Sequence, residues 1–139
     1  MIIDSHCHLY DPAFRDLRET IATALAHDVW GVVAVGCDAE TNARTLAAAG
    51  AAPKSVWACL GFHPEWTHLG EGDLDRVEQQ LVENHHRIVG LGEVGLPWYS
   101  LAEAPDPAES NRVFERLVSI AADEPSILEL KRPRKPAPD

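Results

Sequence analysis

Ile2-Ile3-Asp4-Ser5-His6-Cys7-His8 opens the chain with an apolar pair followed by two histidines one residue apart. As a strand, this stretch alternates its side chains between two faces. It then sets His6 and His8 on the same face, roughly 6–7 Å apart at their backbones. Two imidazoles pointing the same way from a strand end can grip one divalent cation, a role that suits Zn, Mn, Fe or Ni. By the same count Asp4 shares their face and is expected to orient a ligand from behind. Cys7 faces the opposite way. A His-x-His pair alone is as often an ordinary pair of surface or core histidines, so the weight rests on the rest of the chain.

Beyond His8 the chain alternates strand and helix. Asp11-Pro12 reads as a helix start, with Phe14, Leu17, Ile21 and Leu25 as its apolar stripe. Trp30–Cys37 is a near-continuous apolar run, as expected of a strand buried on both faces. Asp38 caps a second helix through about Ala49, and Gly50 ends it. Val56–Leu60 is a third strand. Asp73 caps a third helix with Leu74, Val77 and Leu81 inward, and Arg87–Leu91 is a fourth strand. Pro107 to about Ala122 forms a fourth helix carrying Val113, Leu117 and Ile120, and Pro125–Leu130 begins a fifth strand. Trp30 and Trp57 flank strands and are expected in the core. Apolar strands alternating with three-turn helices imply an α/β fold of parallel βα units with right-handed connections.

Composition bounds the function. The 139 residues suffice for one domain with a real core, and 45% hydrophobic with 24% charged residues is ordinary for a globular protein. A net charge of −10 argues against broad adhesion to nucleic acid or anionic lipid. It leaves room for a phosphate-bearing substrate, because bound cations reverse the local field. No apolar run approaches the ~20 residues of a membrane span, and no signal peptide is expected. Cys7, Cys37 and Cys59 are odd in number and widely spaced, which suggests free thiols in a reducing cytoplasm.

Three of the strands end in a polar cluster: His6-x-His8 after the first, Gly61-Phe62-His63-Pro64 after the third, Gly92-Glu93-Val94-Gly95-Leu96 after the fourth. Barrel enzymes place catalytic groups at these C-terminal strand ends. No phosphate-cradling glycine loop is present. In order and spacing the three clusters resemble the TatD-like metal-dependent hydrolases, over Met1 to about Ala122. The resemblance implies a (β/α)8 barrel of amidohydrolase type, of which this chain carries the first half, truncated after about strand five. It implies two divalent metals (Mg, Mn or Zn) in the full family site, and cleavage of ester bonds, commonly phosphodiesters in DNA. Aminoacyl-tRNA esters are another proposed substrate. By that resemblance His6 and His8 are ligands of the first metal and Glu93 the carboxylate bridging both. His63 lines the site and contacts substrate, so Glu93 and His63 are the candidate catalytic residues.

The departures matter as much. The family takes further histidines from strands five and six and an aspartate from strand eight. Here Glu129 stands where the strand-five histidine belongs, and Pro97 replaces a frequent aspartate. Residues 1–130 therefore read as a partial barrel domain and 131–139, basic and proline-rich, as a disordered tail. Half a barrel leaves strand edges open to self-association. Two readings remain: a metal-dependent hydrolase of ester or phosphodiester bonds, or a non-catalytic remnant binding at most one metal. Among other candidates, Trp66, Trp98 and Tyr99 rim the site in the family reading. His27, His68, His85, His86, Glu103, Asp106 and Glu109 read as solvated or helix-end groups.

Overall fold

The structure, a computed structural model, describes residues 2–65, 71–96 and 107–124. Strands β1 (Ile2–Cys7), β2 (Val29–Val35), β3 (Val56–Leu60) and β4 (Ile88–Leu91) alternate with helices α1 (Leu17–Ala26), α2 (Ala39–Ala51), α3 (Glu71–Asn84) and α4 (Pro107–Asp123). The strands form one sheet in chain order, every neighbouring pair parallel. Parallel neighbours need a crossover, and between the strands a helix supplies each one.

The core lies on the helix side of this sheet, in two clusters. Val32, Ala34 and Val56 of β2 and β3 pack with Leu9 against Phe14, Leu17 and Ile21. Ala58, Leu60, Phe62 and Ile88 pack with Leu74, Val77 and Leu81 of α3 and Val113, Leu117 and Ala121 of α4. The α3 and α4 residues recur at three and four positions, as the apolar spacing predicts. Each fully buried Leu or Ile adds about 1.5–3 kcal/mol relative to exposure. On the opposite face Val33, Trp57 and Cys59 are half buried and Val35 is buried.

Chain ends of the helices obey local chemistry. Asp38 accepts from Thr41 N at 2.7 Å while Thr41 Oγ1 accepts from Asp38 N at 2.9 Å, a reciprocal cap that starts α2. The same hydroxyl accepts from Cys37 N at 2.8 Å, so the end of β2 is tied to the start of α2.

Several expectations are corrected. The first helix is two elements: Asp11 caps a short 3-10 turn, Pro12–Phe14, and Asp16 then caps α1 by accepting from Glu19 N. Two Asp caps five residues apart make two starts. Gly50 does not end α2, which runs on to Ala51. Asp73 lies inside the first turn of α3 rather than capping it. Trp30 is 53% exposed instead of core. Between Ile2↔Val29 and Ile3↔Gly31 the ladder advances one residue on β1 but two on β2, leaving Trp30 as the extra residue of a bulge. Trp57 is half buried, its ring lying so close over Gly31 that a Cβ there would sit 2.2 Å from it. The expected strand at Pro125–Leu130, Glu129, the tail 131–139 and Trp66, His68, Pro97, Trp98, Tyr99, Glu103 and Asp106 lie outside the described residues.

Candidate metal centre

The C-terminal ends of all four strands meet at one place. His6 and His8 leave the end of β1, Cys37 follows β2, His63 follows β3 and Glu93 follows β4. His6 Nε2 and His8 Nε2 are 3.3 Å apart. Glu93 Oε2 lies 3.6 Å from the first and 3.7 Å from the second. Three donors at roughly 2.0–2.2 Å from a tetrahedral ion stand about 3.4 Å from one another, so these separations fit a common ion. Among the described residues these three form the cluster whose ligand atoms all lie within 4.8 Å of one another.

The tautomer fits as well. His8 Nδ1 is 3.0 Å from Val35 O, a carbonyl that can only accept. Nδ1 therefore carries the hydrogen, and in the neutral ring Nε2 turns its lone pair to the site, as metal-ligating histidines do. Asp4 does not hold a ring from behind. Its Oδ1 accepts from His6 N at 3.0 Å, at the irregularity between Asp4 and Cys7 in the β1–β2 register. Cys7 does turn away, packing against the helix-side core.

His63 joins the cluster through the other carboxylate oxygen, with Nε2 3.4 Å from Glu93 Oε1. Its Nδ1 accepts from Glu65 N at 3.2 Å, so in the neutral ring the hydrogen sits on Nε2, facing Glu93. Its side chain is 16% exposed against 50% for His6, so the site opens on the β1 side.

Sequence reasoning missed a second tier. Tyr10 Oη donates to Cys37 Sγ at 3.1 Å, and that thiol donates to Glu93 Oε2 at 3.6 Å. Burial pushes the Cys37 thiol up to about 11; the Tyr10 hydrogen bond opposes this and the Glu93 carboxylate adds to it. Cys37 is thus a neutral donor at ordinary pH. Burial, then the contact with Cys37, raises the Tyr10 phenol also. Asn42, fully buried on α2, holds both backbone groups of Gly61: Nδ2 donates to Gly61 O at 2.9 Å and Oδ1 accepts from Gly61 N at 3.1 Å. The available signal was a polar residue inside an apolar stripe, since Ala39, Leu46 and Ala49 share its side of the helix. Of the histidines set aside, His27 caps the end of α1 through its backbone, and His85 Nδ1 meets Val82 O at 2.8 Å.

The comparisons agree with this geometry. The sequence model of the TatD related DNase family matches residues 3–130. An uncharacterized metal-dependent hydrolase of Haemophilus influenzae is 31% identical over 123 residues, covering 87% of this chain and 48% of that protein. A 3'-5' ssDNA/RNA exonuclease TatD of Pectobacterium parmentieri is 26% identical, covering 78% of this chain and 41% of that protein. Among solved structures, a TatD homolog from Escherichia coli superposes with a TM-score of 0.77 at 26% identity, covering 89% of this chain and 48% of the other. An uncharacterized amidohydrolase from Saccharomyces cerevisiae shares the fold at a TM-score of 0.71 and 13% identity. The chain thus spans about half the length of the relatives it matches, and its four parallel βα units are a partial TIM-barrel fold of that kind. With three motifs at three strand ends converging on one point, and a family match over nearly its whole length, this chain belongs to the TatD related DNase family of metal-dependent hydrolases.

Proposed function

We infer that this chain carries the first-metal half of a phosphodiester-hydrolysing site, with a nucleic acid as substrate class and a divalent ion (Mg, Mn or Zn) held by His6, His8 and Glu93. The observation that supports it most is the triangle of 3.3, 3.6 and 3.7 Å between two imidazole nitrogens and one carboxylate oxygen. Two imidazoles and a carboxylate with an open fourth position are a recurrent catalytic zinc set. When bound, such a cation acts as a Lewis acid on a phosphoryl oxygen and makes water more acidic.

The residues divide the remaining work. Glu93 faces the histidine pair with Oε2 and His63 with Oε1, which leaves it suited to bridge toward a second cation. His63 presents an N–H at Nε2 beside the same space and can donate to a substrate oxygen. The Cys37 thiol and Val35 carbonyl hold Glu93 and His8 in place. The chain's negative charge makes metal, rather than protein cations, the group that neutralises a phosphate. The relative named as an exonuclease on single-stranded DNA and RNA supports the substrate class. The three thiols are free, in keeping with a reducing compartment, and no described helix is long and apolar enough to cross a membrane. Pairing of a second copy at the open edge of β1, where Ile2 and Ile3 are 56% and 41% exposed, belongs to the same proposal.

A second reading is a non-catalytic remnant that binds at most one ion, favoured by the grouping of three candidate donors, His6, His8 and Glu93, among the described residues. Metal content and hydrolysis of a single-stranded DNA oligonucleotide, with added Mn or Mg, separate the two. Activity lost in both His6→Ala and Glu93→Gln, with about two ions per chain, supports the hydrolase. One ion per chain and equal background rates in all three proteins support the second reading. No bound ion in the wild type refutes the hydrolase and is an outcome of the second reading alone.

A further inference from the structure

The metal reading leaves a question of placement: what sets the position of Glu93, whose strand is only four residues long? The ends of β2 and β3 do, and one side chain governs both. Glu93 N donates to Gly36 O at 3.0 Å, and Gly92 N donates to Leu60 O at 2.8 Å. A Cβ on Gly61 would meet Glu93 O at 2.3 Å and Glu93 N at 2.4 Å, so the Glu93 backbone lies directly against Gly61. A Cβ on Gly36 would meet Asn42 Oδ1 at 2.1 Å and the Asn42 backbone at 2.8 and 2.9 Å. Asn42 therefore fills the space beside Gly36 and grips both polar backbone groups of Gly61. Its amide is held in turn by Gln80, whose Oε1 accepts from Asn42 Nδ2 at 3.3 Å while Nε2 donates to Ala39 O at 2.8 Å.

We propose that Asn42, through Gly36 and Gly61, is the positioning residue for Glu93. This rests on the metal reading for its consequence, but its geometric content does not depend on a bound ion. A carboxamide is the side chain that answers an N–H and a C=O on one residue at once. Asn42→Leu keeps the volume and removes both partners. Asn42→Asp keeps the shape but has no N–H to offer Gly61 O when ionised. The first removes both bonds to Gly61 and the second the bond to its carbonyl, so in each Glu93 loses a fixed neighbour.

The test uses the full 139-residue chain, with zinc titration and amide hydrogen exchange on wild type, Asn42→Leu, Asn42→Asp and two comparison variants. Thr45→Val alters another fully buried α2 side chain, whose hydroxyl has no hydrogen-bond partner among the described residues. Gln80→Met loosens the Asn42 amide from outside. The Asn42 variants should weaken zinc binding at least tenfold, in the range of about 10–100-fold for residues that orient ligands. Exchange should accelerate at Gly61 and Glu93 but not at Val77 or Leu117. Thr45→Val should leave zinc affinity unchanged, and Gln80→Met should weaken it by a few-fold. Wild-type zinc affinity in a folded Asn42 variant overturns the proposal, as does acceleration spread evenly over the core, which marks a merely structural residue. If neither Asn42 variant folds, Gln80→Met decides by the same two criteria. If the wild type binds none of zinc, manganese or magnesium, the metal reading fails, and the exchange pattern alone decides the placement.

Discussion

Replacing Gly61 by alanine puts one methyl where the structure has no room to spare. The added Cβ would sit 2.3 Å from Glu93 O and 2.4 Å from Glu93 N and Gly92 C. Carbon contacts relax only at about 3.5 Å, so roughly 1 Å of separation must be found. All three opposing atoms are backbone and cannot swing aside by changing rotamer. The ends of β3 and β4 must part, and Glu93 moves with them. Forced overpacking of this size costs about 1–3 kcal/mol, which for a domain of this length lowers the melting temperature by about 4–12 °C. The carboxylate fares worse than the fold. Its Oε2 stands 3.6 and 3.7 Å from the two ring nitrogens, already at the wide side of what one tetrahedral ion spans. Retreat by about 1 Å takes it out of reach of an ion that both imidazoles hold at ~2.0–2.1 Å. Calorimetric zinc titration should show at least a tenfold loss, with thermal melts followed by circular dichroism in parallel. Gly72→Ala is the control: among the described residues nothing lies within 4 Å of its added Cβ on α3, and removing a helical glycine should stabilise by about 0.5–1 kcal/mol. A Gly61→Ala protein that binds zinc as the wild type does, and melts within a degree of it, refutes the claim that this contact sets the carboxylate.

The fold yields two more expected outcomes. Asp28, just past α1, has φ of 64°, the left-handed conformation that glycine usually holds after a helix; Asp28→Gly should raise stability by about 0.5–1 kcal/mol in urea unfolding, and a loss instead would mean that the Asp28 side chain outweighs its backbone strain. Burial pushes the Cys59 thiol from 9.0 up to about 11, so between those values the folded chain keeps a proton that the unfolded chain releases; the resulting stability is whole below pH 9 and lost as pH rises toward 11. Wild type should accordingly lose more unfolding free energy than Cys59→Ala between about pH 8.5 and about pH 10.5, and parallel losses would contradict the burial argument.

The elements built by periodicity were legible, and those built by irregularity were not. Leu74, Val77 and Leu81 announced α3, and Val113 and Leu117 announced α4, because an apolar stripe at helical spacing has few other uses. Val56–Leu60 was legible to the residue because its neighbours on both sides break the apolar run. Trp30 was misplaced because a bulge depends on the partner strand, which no local pattern records. The divided start of α1 turned on which of two aspartates captures which backbone N–H, a contest between near-equal caps. At the candidate site, His6, His8, His63 and Glu93 stood out by residue type and by position after strands, and the structure brings them together. Asn42, Gly36 and Gly61 were not, because their role is to let three strand ends approach closely. Close approach is a property of pairs that adjoin only in space.

That division has a consequence for how the molecule responds to change. Both apolar clusters lie between sheet and helices, whereas the four candidate site residues stand at the strand ends. A truncation such as Leu117→Ala removes contacts from a fully buried side chain and costs about 2–5 kcal/mol of stability, yet it leaves the donor triangle where it was. The glycines at positions 36 and 61 are different. Each lies at the junction of the two layers, with helix α2 on one side and Glu93 on the other. A change there alters stability and donor geometry together. Metal affinity measured against melting temperature across core and junction variants should therefore fall on two separate lines, and a single common line would mean that Glu93 is placed by the fold as a whole rather than by Gly36 and Gly61.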